Sequence, residues 1–125
     1  MRKFSGLFSI IVLVLAAVVA PAQKYTEFSV NVKSGQAWQV PVGTNRRDEI
    51  AVNFYVGEQK ETDVYLVDAE NLQRFNKGES FASLYTAKQT KSGIISLKLP
   101  RGIYHLLINN REYWYDKSVK LQIFQ

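Results

Sequence analysis

From residue 23 onward the apolar side chains recur with a period of two. The cleanest row is Ile50, Val52, Phe54 and Val56, set against Ala51, Asn53 and Tyr55. A period of two places alternate side chains on opposite faces of a strand, so one face packs while the other meets water. The same pattern recurs as Phe28, Val30 and Val32, as Ile95, Leu97 and Leu99, and as Val119, Leu121 and Ile123. Trp38, Val40 and Val42 make a further inward row, which places Trp38 in the core. Pro41 lies among them, and a residue without a ladder donor belongs on an edge strand. In Asp63 to Val67, Val64 and Leu66 share one face and Tyr65 and Val67 the other. Ser83 to Lys88 reads as a short strand. Ile103 to Ile108 is apolar on both faces, apart from His105, and needs cover on both.

Turn residues separate these runs at Ser34-Gly35, Gly43 to Asn45, Ser92-Gly93, Pro100 to Gly102 and Asn109 to Glu112. Gly57 to Thr62 is polar and reads as a connection. Only 68–77 departs from the period. Asp68 can accept from a free helix N–H, Leu72 and Phe75 lie three apart, and Gly78 ends the segment. The expected fold is all-β: an antiparallel β-sandwich of about eight strands with one short helix, preceded by an N-terminal signal helix.

That signal is residues 1–22. Arg2 and Lys3 precede an apolar run from Leu7 to Val19, and Ala20-Pro21-Ala22 supplies the small residues that a signal peptidase needs. The run is shorter than the roughly 20 residues of a membrane span. Cleavage is expected between Ala22 and Gln23, leaving 23–125 as one β-sandwich domain in the periplasm or outside the cell. The chain has no cysteine. That excludes a disulfide framework, a thiolate nucleophile and a lipidated cysteine after cleavage, so packing must hold the domain together. No Asn-x-Ser/Thr sequon occurs, which fits a bacterial exported protein.

Two of the basic residues leave with the leader, so the formal charge of +5 falls by two. The remaining cations are scattered, and Arg46-Arg47 is followed at once by Asp48-Glu49. Nucleic-acid binders concentrate positive charge on one face, so that class is excluded.

No arrangement of residues points to catalysis. His105 is the only histidine. As a general base or metal ligand it would need partners that the sequence does not place beside it, and a structural role accounts for it. Asp68, Glu70 and Asn71 offer oxygens that calcium would accept, but the spacing is not an EF-hand and a helix cap explains Asp68. There is no Gly-x-Ser-x-Gly elbow, no singled-out carboxylate pair and no phosphate-binding glycine loop. No cofactor or metal is expected.

The most unusual segment is Tyr113-Trp114-Tyr115. Three consecutive rings cannot all enter one core, so at least one should lie at the surface. Exposed rings anchor protein interfaces or stack on sugars; the competing reading is that they cap an open end of the sandwich. Tyr55 is a weaker candidate of the same kind. Asn109 and Asn110 suit a turn, where asparagine side chains mimic backbone.

Val64 to Asn71, Phe75 to Gly78, Ser92-Gly93, and Leu99-Pro-Arg-Gly-Ile-Tyr104 leading to Asn109-Asn110 together resemble the GOLD-like (Golgi dynamics) β-sandwich in its small exported bacterial form. The resemblance spans about 26–125, and its pattern also suits other sandwiches, including pre-peptidase-type domains. It implies a compact sandwich for protein–protein interaction with no catalytic residues. The chain departs from the eukaryotic cargo receptors of that family in lacking a cysteine pair, a coiled coil and a C-terminal span, so Golgi cargo selection does not carry over. The expected function is a non-enzymatic interaction module of the bacterial envelope, with Tyr113, Trp114 and Tyr115 at the contact. Its expected partner is another envelope or secreted protein or a second copy of itself. The alternative is a glycan held by the same rings.

Overall fold

Eight strands and one helix follow the predicted order in the computed structural model, which describes residues 24–125. The expected leader, 1–22, and its cleavage point lie outside the described residues. The strands are β1 (Tyr25–Val32), β2 (Ala37–Gly43), β3 (Glu49–Val56), β4 (Thr62–Val67), β5 (Tyr85–Thr90), β6 (Ser92–Lys98), β7 (Ile103–Asn109) and β8 (Lys117–Phe124). The helix α1 (Ala69–Asn76) sits between β4 and β5.

All pairings are antiparallel. Sheet one has the order β1-β8-β3-β6 and sheet two the order β2-β7-β4-β5. Strand one therefore pairs with eight, two with seven, three with six and four with five. That is a long hairpin wound round a core, the jelly-roll order of eight-stranded sandwiches. α1 occupies the tip of the hairpin. Pro41 is on β2, an edge strand, where its missing N–H costs no ladder bond.

The predicted inward rows form the core. Val30, Val32, Val40, Val42, Ile50, Val52, Phe54, Val56, Val64, Leu66, Ile95, Leu106, Ile108, Val119 and Leu121 are buried between the sheets. Each such side chain contributes about 1.5–3 kcal/mol by leaving water. A one-residue slip of β8 against β1 and β3 would turn Val119 and Leu121 outward, so burial also sets the register.

The outer face of β7 is covered within the chain at Leu107, whereas Ile103 at its start is left 66% exposed. Leu107, Tyr65 and Val67 are buried beneath Phe75 of α1, with Leu72 and Phe81 packed alongside. Phe81 meets Tyr65 and Phe75 edge-on, at 5.3 and 5.4 Å between ring centroids. Asp68 caps the helix as predicted: its Oδ1 accepts from the Asn71 backbone N–H at 2.9 Å and from the Asn71 amide at 2.8 Å. Gly78 ends the segment at φ +75°, the left-handed conformation glycine tolerates. The bond from the Asn71 N–H, then that from its side chain, holds the Asp68 carboxyl below the usual carboxylate range.

Asp68→Ala should therefore lower stability by about 1 kcal/mol. The carboxylate's contribution is present above its unfolded value of about 3.9 and disappears as the pH falls through the lower folded value. Denaturant titrations at neutral pH and near pH 3 should show the gap between variant and parent narrowing in acid.

Leu99 to Tyr104 forms the turn from β6 into β7. The Tyr104 hydroxyl donates to the Pro100 carbonyl at 2.6 Å, four residues upstream. This is the tyrosine corner that recurs in sandwich folds. The motif that carries the family resemblance thus has a mechanical role common to sandwiches generally, and nothing in the fold is specific to GOLD-like domains.

Three expectations need correction. Ser92-Gly93 is not a turn. It opens β6; the bend between β5 and β6 is at Lys91, and Gln89, at φ +52°, sits at the register irregularity inside β5. Trp38 is not a core residue. It continues the inward row of β2, level with buried Ile108 and Val64, but β2 is the edge strand of its sheet, so Trp38 lies at the open side of the sandwich, 43% exposed, with its indole N–H donating to the Asn31 carbonyl at 2.9 Å. Arg46-Arg47 is not answered by Asp48, whose carboxylate turns to Arg101 at 3.0 Å.

Candidate functional site

The loop from Asn110 to Asp116 joins β7 to β8 and closes one end of the sandwich. It is built on Asn110, which is fully buried. The Asn110 side-chain NH2 donates to three converging carbonyls: Val32 at 3.2 Å, Lys33 at 3.1 Å and Tyr115 at 2.7 Å. Its backbone is tied as well, with Gly35 and Tyr113 donating to its carbonyl and its own N–H donating to Gln36. One residue thus links the end of β7, the β1–β2 turn and the aromatic segment. Asn109 has a smaller turn role, accepting the Arg111 N–H at 3.2 Å.

Ser34 joins the loop from the β1–β2 turn. Its N–H donates to Asp116 Oδ1 at 2.9 Å and its hydroxyl to the Tyr113 carbonyl at 2.7 Å. Asp116 also lies 3.8 Å from Lys33.

The three rings separate in function. Tyr113 is tucked in, with its hydroxyl donating to Asp63 Oδ1 at 2.8 Å. The Lys117 ammonium lies 3.4 Å from its ring centroid and donates to the Glu61 carbonyl. Burial first, then the bond to Asp63, pushes the Tyr113 hydroxyl well above its ordinary range. It stays protonated and cannot act as a base near neutrality. Burial lowers Lys117, against the opposing pull of Asp63 and Glu61. With its ammonium held by a ring face and a carbonyl, Lys117 acts as a strut beneath the loop.

Trp114 and Tyr115 point outward, 89% and 63% exposed. Lys60 lies 5.6 Å from the Tyr115 ring centroid and donates to the Asp116 carbonyl at 3.4 Å. The result is two large exposed rings on a backbone fixed by buried hydrogen bonds. Such a surface offers apolar contact area without a large ordering cost on binding.

The other candidates are elsewhere. Tyr55, 47% exposed, lies on the outer face of sheet one opposite Lys120. His105 is half-buried towards the far end of β7, between Pro41 of β2 and Val67 of β4. Asp68 is committed to its cap. Among the described residues no group of three His, Cys, Asp or Glu side chains could hold a metal ion.

Sequence reasoning missed Lys117, although the signal was present: Lys117 extends the inward row Val119, Leu121, Ile123 by one step of two. Ser34, Lys60 and Asp116 come from turns that only the fold brings together.

No protein-family model matches the chain, and no curated protein matches it. Among the described residues no helix is long and apolar enough to cross a membrane.

Proposed function

We propose that the chain is an exported, non-enzymatic interaction module of the bacterial envelope, which binds another envelope or secreted protein through Trp114 and Tyr115. The observation that carries this reading is the pairing of near-complete exposure at Trp114 with a backbone anchored by buried Asn110. An indole so exposed gains nothing for the fold, whereas tryptophans of this kind dominate protein interfaces. Tyr113 belongs to the support of the surface. Kinship with GOLD-like sandwiches is part of the same proposal and rests on the segments 64–71 and 99–110. Export rests on the leader pattern alone.

The test uses a photo-crosslinker at position 115 in the envelope of a producing cell. A discrete protein adduct is expected. Trp114→Ala should reduce its yield at least tenfold, since a central tryptophan is worth about 2 kcal/mol or more. The unfolding free energy should move by no more than about 0.5 kcal/mol, as for other surface changes. An adduct unaffected by the substitution removes Trp114 from the contact. Retention on cell-wall polysaccharide that depends on Trp114, with no protein adduct, replaces the protein partner with a glycan stacked on the same rings.

A further inference from the structure

We propose a second binding site at the opposite end of the sandwich, for an anionic amphiphile: a carboxylate or phosphate headgroup on an alkyl body. The edge strands β1 and β2 are in contact where the Trp38 indole reaches the Asn31 carbonyl. Towards the other end of these strands lies a cleft of about 1010 Å3, lined by Lys24 and Thr26 of the β1 end, Pro41 to Arg47, and Ile123 to Gln125. The cleft is open on one side and has room for a ligand of drug size. The cleft lies at the far end of β8 from the aromatic loop, about 24 Å along the strand.

Its two chemistries are complementary to one ligand class. Val42, nearly fully buried, and half-buried Ile123 continue the inward rows of β2 and β8, so the cleft opens onto the edge of the core. Lys24, Arg46 and Arg47 supply three cations, and no acidic side chain lines it.

The 44–49 loop turns its own carboxylate away from the arginines. Asn45 Oδ1 accepts from the N–H groups of Arg47 at 2.9 Å and Glu49 at 3.1 Å. The Asn45 N–H donates to the Glu49 carbonyl, and the Asp48 N–H to the Asn45 carbonyl. Asp48 is held at φ +58°, a conformation that costs a non-glycine residue about 1 kcal/mol or more. In that conformation its carboxylate bonds Arg101. Among the described residues neither Arg46 nor Arg47 has a carboxylate within ion-pairing distance. A headgroup in the cleft would supply the counter-charge that both guanidinium groups lack.

The experiment is an NMR titration of the purified protein with octanoate and with octyl phosphate, both below micelle formation. Saturable shifts are expected at Gly43 to Arg47 and Ile123 to Gln125, with Trp114 and Tyr115 unmoved. The stronger of the two ligands identifies the headgroup. Acetate, which has the charge without the body, and 1-octanol, which has the body without the charge, should each bind at least tenfold more weakly. The double substitution Arg46→Gln and Arg47→Gln should weaken both amphiphiles at least tenfold with the fold intact, because both side chains are exposed. Unmoved resonances in the cleft, or a double variant that binds like the parent, overturn the site. Octanol equal to octanoate overturns the role of the cations, and acetate equal to octanoate overturns that of the apolar floor. The Trp114 crosslinking result does not depend on any of these outcomes.

Discussion

Asn110→Asp should remove about 4 kcal/mol or more of stability at neutral pH, although it replaces one NH2 by an oxygen and changes almost nothing in shape. The Asn110 NH2 is the common donor to three backbone carbonyls. Among the described residues its Oδ1 is buried without a partner, so the side chain is held by its donor end alone. The substitution turns that end into a carboxylate facing three lone-pair-bearing oxygens. The Lys33 carbonyl keeps the Gln36 N–H as a donor; a carbonyl left with none costs about 1–3 kcal/mol where it is buried. Burying the new charge adds to this. The sum, about 4 kcal/mol or more, is a large part of the 5–15 kcal/mol that holds a domain of this size together.

The pH dependence identifies the cause. Burial and the facing oxygens raise the new acid's folded pKa above its unfolded value of about 3.9. Between the two values the folded state binds more protons, so stability falls as the pH rises through that window. Denaturant titrations should show a smaller loss at pH 4 than at pH 7, because the protonated acid regains one donor. Asn110→Ser, which removes the long donor without adding charge, should give an intermediate loss with little pH dependence over that range. Equal stability of Asn110→Asp and the parent at pH 7 would mean that the loop does not hang on this amide, and the fixed platform under Trp114 would go with it.

What was legible in the chain follows from which physical signals are local. Burial alternates along a strand, so the inward rows could be read directly, Ile50 and Val52 as well as Val119 and Leu121. Pro41 announced an edge and Asp68 a cap because missing donors and free helix N–H groups act within a few residues. Tyr113-Trp114-Tyr115 was recognisable as a segment that could not be wholly buried. Which ring goes inside was not, because Tyr113 is drawn in by Asp63 and Lys117, distant in sequence or on another strand. Trp38 misled because an inward-facing position buries a side chain only where the opposite sheet extends over it. Arg46-Arg47 looked neutralised because Asp48 is adjacent, yet a left-handed residue sends its side chain elsewhere. Ser92-Gly93 read as a turn because glycine usually marks one. Here the glycine serves a ring across the strand pair.

That last position gives the other large expected effect. Gly93 pairs with Phe54 in the β3–β6 ladder, and Phe54 is fully buried. A Cβ built on Gly93 would fall 2.7 Å from Phe54 Cε2 and 2.9 Å from the Tyr85 hydroxyl. The Phe54 ring therefore occupies the space that any side chain at 93 would fill, and Tyr85 meets it edge-on at 6.4 Å. Two local effects favour substitution: glycine costs a strand about 0.5–1 kcal/mol, and valine suits strands. Against them stands the overlap. The ring is fully buried, and overpacking a core costs about 1–3 kcal/mol and occasionally more. The overlap wins, and Gly93→Val should lower stability by about 2 kcal/mol. Phe54→Leu shortens the side chain that collides. Combined with Gly93→Ala it should lose less than the two single variants together, with a coupling of about 0.5–3 kcal/mol. Strict additivity in that cycle, or a Gly93→Val variant as stable as the parent, would mean that the ring does not lie over the glycine and that β6 is held against β3 by backbone pairing alone.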